Sequence, residues 1–186
     1  MNLKAFENFR KEIVGLQSRL KVFQIDFLDR DSFKEFANRL WENIYNYTEV
    51  CITGYFSETV SQDLEKVAKA KDKKVKLICQ ELDTANKRDR KNLEVLKKLC
   101  KAGVEVRFNN RIHARLLIAY HPQLPESSGL LILGSFDFNS ECIGRERYDA
   151  GIRTRHPDLI EAAIHLFEEI WNDSESIPLN EKCDSK

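Results

Sequence analysis

The sequence has no excess of either charge: 30 Lys plus Arg face 30 Asp plus Glu across 186 residues. That excludes a global field, so a nucleic-acid partner must be held by a local patch. It has no CxxC pair, and its five cysteines (Cys51, Cys79, Cys100, Cys142 and Cys183) are odd in number. A disulfide framework is therefore not expected, and a reducing, cytoplasmic compartment is. No apolar run approaches the ~18 residues of a membrane span, and no secretory apolar stretch opens the chain. His121, His156 and His165 lack metal-ligand spacing with one another or with the cysteines, so a surface or helix-terminal role is expected for each. There is no internal repeat and no low-complexity segment.

What is present is the composition of a globular domain, 42% hydrophobic and 32% charged, in a chain long enough to bury a core without staples. Phe6, Phe9, Ile13, Leu16 and Leu20 recur at steps of three and four and predict an amphipathic leading helix over residues 1–22. It packs either on its own domain or on a second copy. The domain itself is expected over 23–173, with a polar tail over 174–186. Ser32 and Glu35 have capping-box spacing before a helix over Asp31–Tyr45. Strands then alternate with helices: Val50–Tyr55, a helix at Glu58–Ala70, Val75–Cys79, a helix at Asn92–Ala102 closed by Gly103, and Val104–Phe108. This β-α-β-α-β order predicts an α/β fold whose sheet is mixed and largely parallel, flanked by helices. Ile112–Tyr120, Leu130–Phe136 and Asp149–Arg155 are expected as further strands, and Pro157 at a first-turn position opens a last helix, Pro157–Trp171.

Chemistry concentrates in residues 107–155. The run Ile112–Tyr120 is apolar except for His113 and Arg115, which share one face of a strand. Burying an imidazole and a guanidinium there is costly without partners. The next strand ends in Gly134-Ser135-Phe136-Asp137, with Ser135 and Asp137 also on one face. A hydroxyl and a carboxylate at a strand end are the usual makings of a site in an α/β sheet. This stretch holds seven Arg and no Lys, and Arg is favoured where phosphate or carboxylate is gripped by parallel hydrogen bonds. The same arginines can instead pair with Glu141, Glu146 and Asp149 at a dimer interface.

His113-Ala114-Arg115, an apolar run, and then Leu-Gly-Ser-Phe-Asp-Phe-Asn resembles the phospholipase D superfamily pattern, H-x-K followed by G-S-x-N. The segment from Lys101 to Val106 and that from Tyr148 to Trp171 resemble its flanks, so the resemblance covers about residues 48–172. It implies a metal-independent phosphodiesterase in which a histidine forms a covalent phosphohistidine and a second histidine protonates the leaving oxygen. One chain supplies one motif, so the resemblance implies a homodimer. By position, His113 is the nucleophile or acid, Arg115 and Ser135 contact phosphate, and Asp149 stands where the family orients its histidine. Arg111 and Arg147 are further phosphate-binding candidates. Three positions depart from the pattern. Arg115 replaces Lys, Tyr120 occupies the motif Asp position, and Asp137 replaces the Asn, placing a carboxylate where a phosphodiester is repelled unless it is protonated or paired. The first expectation is thus a phosphodiesterase acting on nucleic acid. The second is a catalytically degenerate dimer that binds nucleic acid or a protein, and the third a dimerisation scaffold.

Overall fold

The computed structural model describes residues 25–54, 58–123, 129–135 and 149–179. The expected leading helix, Asp137, Arg147 and residues 180–186 of the tail lie outside these. Among the described residues eight strands form one sheet. They are β1 (Ile25–Leu28), β2 (Glu49–Thr53), β3 (Lys74–Cys79), β4 (Glu105–Phe108), β5 (Arg115–Tyr120), β6 (Leu130–Gly134), β7 (Gly151–Thr154) and β8 (Ile177–Pro178). Their order across the sheet is β1-β7-β6-β5-β2-β3-β4-β8.

The sheet is mixed but mostly antiparallel, which corrects the largely parallel expectation. Only β2–β3 and β3–β4 pair in parallel, and the other neighbouring pairs are antiparallel. The reason is connection length. Helices α3 (Glu58–Lys69) and α4 (Lys87–Lys101) supply the crossovers that parallel pairing needs, whereas the connection from β4 to β5, residues 109–114, is six residues without a helix, too short for a crossover. Residues 109–114 instead run along the carboxyl ends of β3 and β2, and the chain returns beside β2 in the opposite direction, Thr53 facing Leu116. Burial hid this from the sequence, because β5 is apolar on both faces from Leu116 to Ala119 and such a run looks the same in either orientation.

Helices cover both faces. Phe33 and Phe36 of α1 (Arg30–Asn38), Leu40 and Ile44 of α2 (Leu40–Ile44), Leu64 of α3 and Leu99 of α4 pack on one face with Val50, Ile52 and Leu77. Ile160, Phe167 and Trp171 of α5 (Pro157–Asn172) cover the other with Cys51, Ile78, Ile118 and Leu131. The single helix expected at Asp31–Tyr45 is two, broken at Arg39, which leaves helical geometry at φ −117°, ψ 26°. Its N-cap is Asp29, not Ser32. The Asp29 carboxylate accepts from the Ser32 N–H at 2.9 Å and the Asp29 N–H donates to the Ser32 hydroxyl at 3.0 Å, so Ser32 is the reciprocal partner of the box. Helix α4 starts five residues before the expected Asn92, capped by Asn86, because its first turn carries no apolar periodicity. It closes at Gly103, whose φ of 99° favours a residue without Cβ. Strand β1 was not expected, and neither was β8 in the supposed polar tail, where Leu179 is buried.

Candidate functional site

The carboxyl ends of β2, β3, β4 and β6 and the amino ends of β5 and β7 meet along one edge of the sheet. The segment 109–114 crosses that edge and is pinned by polar residues at the strand ends. Thr53, fully buried, donates its hydroxyl to the Ala114 carbonyl at 2.6 Å and accepts from the Leu116 N–H at 3.0 Å. Gln80 donates to the Ile112 carbonyl at 3.0 Å. Buried Asn109 accepts from the Arg111 N–H at 2.9 Å and donates to Ser176 at 2.8 Å. Each backbone polar group tied down in this way escapes the cost of being buried unpaired.

The pinned segment presents His113 outwards. His113 precedes the strand, which begins at Arg115; this corrects the expectation that it lies within the strand on one face with Arg115. Its ring is exposed, so the cost of burying an imidazole does not arise. Arg115 is half-buried and donates to the His113 carbonyl at 3.4 Å. In register with Arg115 stand Gly134 of β6 and, next across, Gly151 of β7, neither of which carries a side chain. One residue beyond Gly134, the Ser135 hydroxyl donates to Asp149 Oδ1 at 2.9 Å and accepts from the Ala150 N–H at 3.2 Å, while the Ser135 N–H donates to the Ala150 carbonyl at 3.0 Å. The structure thus brings His113, Arg115, Ser135 and Asp149 to the ends of three adjacent strands. Ser135 has one hydroxyl proton, so an anion at this edge competes with Asp149 for it.

The remaining candidates are placed elsewhere or not described. Arg111 reaches Asp173 at 3.5 Å and Glu175 at 3.6 Å, beyond the end of α5. Tyr120 ends β5 at the opposite edge, where its hydroxyl donates to Glu49 at 2.9 Å; burial pushes this phenol up. Cys51 and Cys79 are buried thiols pushed up to about 12, chiefly by desolvation, which makes them poor nucleophiles. Asp137 and Arg147 fall outside the described residues.

Sequence reasoning passed over Thr53, Gln80 and Asn109. The signal was available: each is a polar residue at or just after the carboxyl end of an apolar strand, where α/β sheets place functional groups. Thr53→Val keeps the shape but removes both hydrogen bonds and leaves the Ala114 carbonyl and Leu116 N–H without their partner. We expect a loss of about 1–3 kcal/mol, read as a lower urea midpoint at unchanged slope. A change below a few tenths of a kcal/mol contradicts the pinning role.

A comparison with curated protein sequences yields no match. Solved structures share the fold. Nuc from Salmonella typhimurium, described as a phospholipase D family member, superposes with a TM-score of 0.61 at 14% identity, covering 83% of this chain and 95% of Nuc. NucT from Helicobacter pylori gives 0.62 at 16% identity, covering 83% and 98%. TrmBL2, an archaeal chromatin protein described as showing a novel mode of DNA binding, gives 0.55 at 13% identity, covering 94% of this chain and 63% of TrmBL2. Residues 46–171, most of the described sheet and all but the last residue of α5, match the family model described as cardiolipin synthase, PLD-like domain, and the chain belongs to the phospholipase D-like family.

Proposed function

We propose that the chain is a phosphodiesterase of the phospholipase D type that acts as a homodimer on nucleic acid through a phosphohistidine, without a metal or other cofactor. The observation that carries this reading is the gathering of His113, Arg115, Ser135 and Asp149 at one sheet edge. In the proposed reaction a neutral His113 nitrogen attacks phosphorus. The N–P bond forms as the P–O bond to the leaving group breaks, and that oxygen takes a proton from the partner's His113. Water then attacks the phosphohistidine, gives its proton to the partner's His113, and the N–P bond breaks. The net change is diester plus water to monoester plus alcohol. Arg115 holds the non-bridging oxygens with its planar fork, and Ser135 turns its hydroxyl from Asp149 to phosphate.

The homodimer rests on the family resemblance, whose site takes two histidine motifs where this chain supplies one. The chain has four histidines. His121 lies against Thr48 beyond the far end of β5, His156 immediately precedes α5, and His165 lies along α5 near Glu161. None is beside His113, which supports an isologous pair of His113 side chains as the source of the second proton-transfer group.

The intermediate tests the reading. A slowly cleaved diester, quenched in alkaline denaturant, should leave its phosphoryl ester on the peptide containing His113 and on no other. Turnover with no adduct on that peptide overturns the mechanism.

A second reading is favoured by Asp137, a carboxylate in place of the motif amide: a catalytically degenerate dimer that binds nucleic acid or a protein partner. It predicts no turnover of any diester. Binding would be weakened by Arg115→Ala more than by His113→Ala, with a salt-dependent Kd.

A further inference from the structure

The chain is neutral overall, yet α4 is not. Its fifteen residues carry seven basic side chains against Asp89 and Glu94. Five residues, Lys87, Lys91, Glu94, Lys98 and Lys101, are spaced four, three, four and three apart and are all exposed, opposite the buried Leu96 and Leu99. This face is about 21 Å long at 1.5 Å per residue.

A solvated helix face usually alternates charge and gains from pairs three and four apart. The helix next to it does so: in α3, Lys66 pairs with Asp63 and Lys69 with Glu65. On α4 the one acidic residue of the stripe, Glu94, is engaged by Lys97 at 3.2 Å. Lys87, Lys98 and Lys101 form no ion pair with a described carboxylate. Lys98 acts on Glu65 only at longer range, since that carboxylate is held by Lys69. Like charges four and three apart cost stability (Lys87 with Lys91, Lys98 with Lys101), and Lys87 and Arg88 also sit at the positive end of the helix dipole, where cations are unfavourable. In the first turn Arg90 is held by the Thr84 and Ala85 carbonyls, but no described carboxylate pairs with Lys87, which points to an external anion as its counter-charge.

The stripe begins on the side of the sheet where β3 ends, the same edge that bears the candidate site. The connection that opens α4 is bonded to the segment bearing His113, through Gln80 to Ile112 and through the Glu81 N–H to Asn110 at 2.9 Å. We propose that the exposed face of α4 is a backbone track that holds a nucleic-acid strand as it leaves the sheet edge. This rests on the reading of nucleic acid as the substrate and adds where its flanking phosphates lie. A lipid surface fits less well. Among the described residues the large exposed hydrophobics are Tyr45, Leu133, Leu159, Leu166 and Ile177; none is on α4, and interfacial helices insert apolar side chains beside their cations.

The test compares the chain with its triple variant Lys87→Gln/Lys98→Gln/Lys101→Gln, both also carrying His113→Ala so that nothing is cleaved. Glutamine keeps helix propensity, and circular dichroism checks the fold. Anisotropy with labelled 20-mer DNA, single- and double-stranded, is followed against KCl concentration. The expected result is a Kd weakened at least about tenfold at low salt for the triple variant, with a log–log salt slope on duplex shallower by about 2 to 3, near 0.9 per lost phosphate contact. Hydrolysis of a small chromogenic diester by the variant with His113 intact should be unchanged, because so short a substrate does not reach the track. DNA binding with equal Kd and slope in both proteins overturns the track and leaves the substrate reading standing. DNA binding by neither overturns both. Binding of phosphatidylserine vesicles that is lost in the triple variant, with DNA binding unaffected, replaces the track by a membrane contact.

Discussion

On the proposed mechanism, His113→Ala is expected to lower diester turnover by at least about a thousandfold, since one substitution would remove both the nucleophile and, through the two-fold axis of the proposed dimer, the leaving-group acid. The fold should not register it. His113 is exposed, and no described residue hydrogen-bonds its ring, so a stability change within about 0.5 kcal/mol is expected. Subunit mixing sharpens the prediction. In an equimolar, freely exchanging mixture of wild-type and His113→Ala chains, about a quarter of the dimers keep both histidines, and activity per total dimer falls to that fraction if each site needs both copies. Independent sites give one half. A His113→Ala protein that retains more than a few per cent of wild-type turnover contradicts the assignment.

The largest stability effect is expected at Trp171. Its ring is buried, stacks on Phe167 at 5.8 Å between centroids, and lies under two cations: Lys76 Nζ at 5.3 Å and the Arg107 guanidinium at 4.6 Å from the ring centre. Arg107 also donates to the Trp171 carbonyl at 2.5 Å. Lys76 is itself buried and paired with Glu168 at 2.5 Å, so the indole shields an ion pair that is expensive to expose on one side only. Trp171→Ala opens a cavity against Phe167 and leaves Lys76 facing it. We expect a loss of about 3–5 kcal/mol, or a fall in Tm on the order of 10 °C for a chain of this length. The effect should reach the site as well. The turn after α5 holds Ser176, which donates to the Ile170 carbonyl and accepts from Asn109, and Asn109 anchors the segment that carries His113. A loss under about 1 kcal/mol in calorimetry contradicts this account of the packing, because truncating a well-packed aromatic costs more.

How much of this was legible beforehand depends on which physical signal each element carries. Apolar runs and periodicity placed β2 to β7 and the last three helices within a few residues, because burial leaves its pattern in composition. Parallel against antiparallel pairing was not legible, because β5 is buried on both faces and only its connections decide its direction. Strands β1 and β8 were missed for a different reason: four residues, of which only Leu28 is buried, and two residues at a sheet edge give no run to detect. The first turn of α4 was missed because its helix is announced by the Asn86 cap and not by apolar spacing. At the site, His113, Arg115, Ser135 and Asp149 were named from the sequence, and the structure brings them to one edge. It also places Arg111 against Asp173 and Glu175 and adds Thr53, whose role depends on a fold contact 61 residues away that no local pattern encodes.

The measurement that tests the central claim most directly is hydrolysis of a chromogenic phosphodiester, and of single- and double-stranded DNA and RNA, in excess EDTA. Wild type and His113→Ala are run side by side at matched, verified dimer concentration. Cleavage that persists in EDTA and disappears in His113→Ala is the predicted result. Folded wild-type dimer that cleaves none of these substrates contradicts the phosphodiesterase and leaves the degenerate binding module, with the carboxylate of Asp137 as its cause.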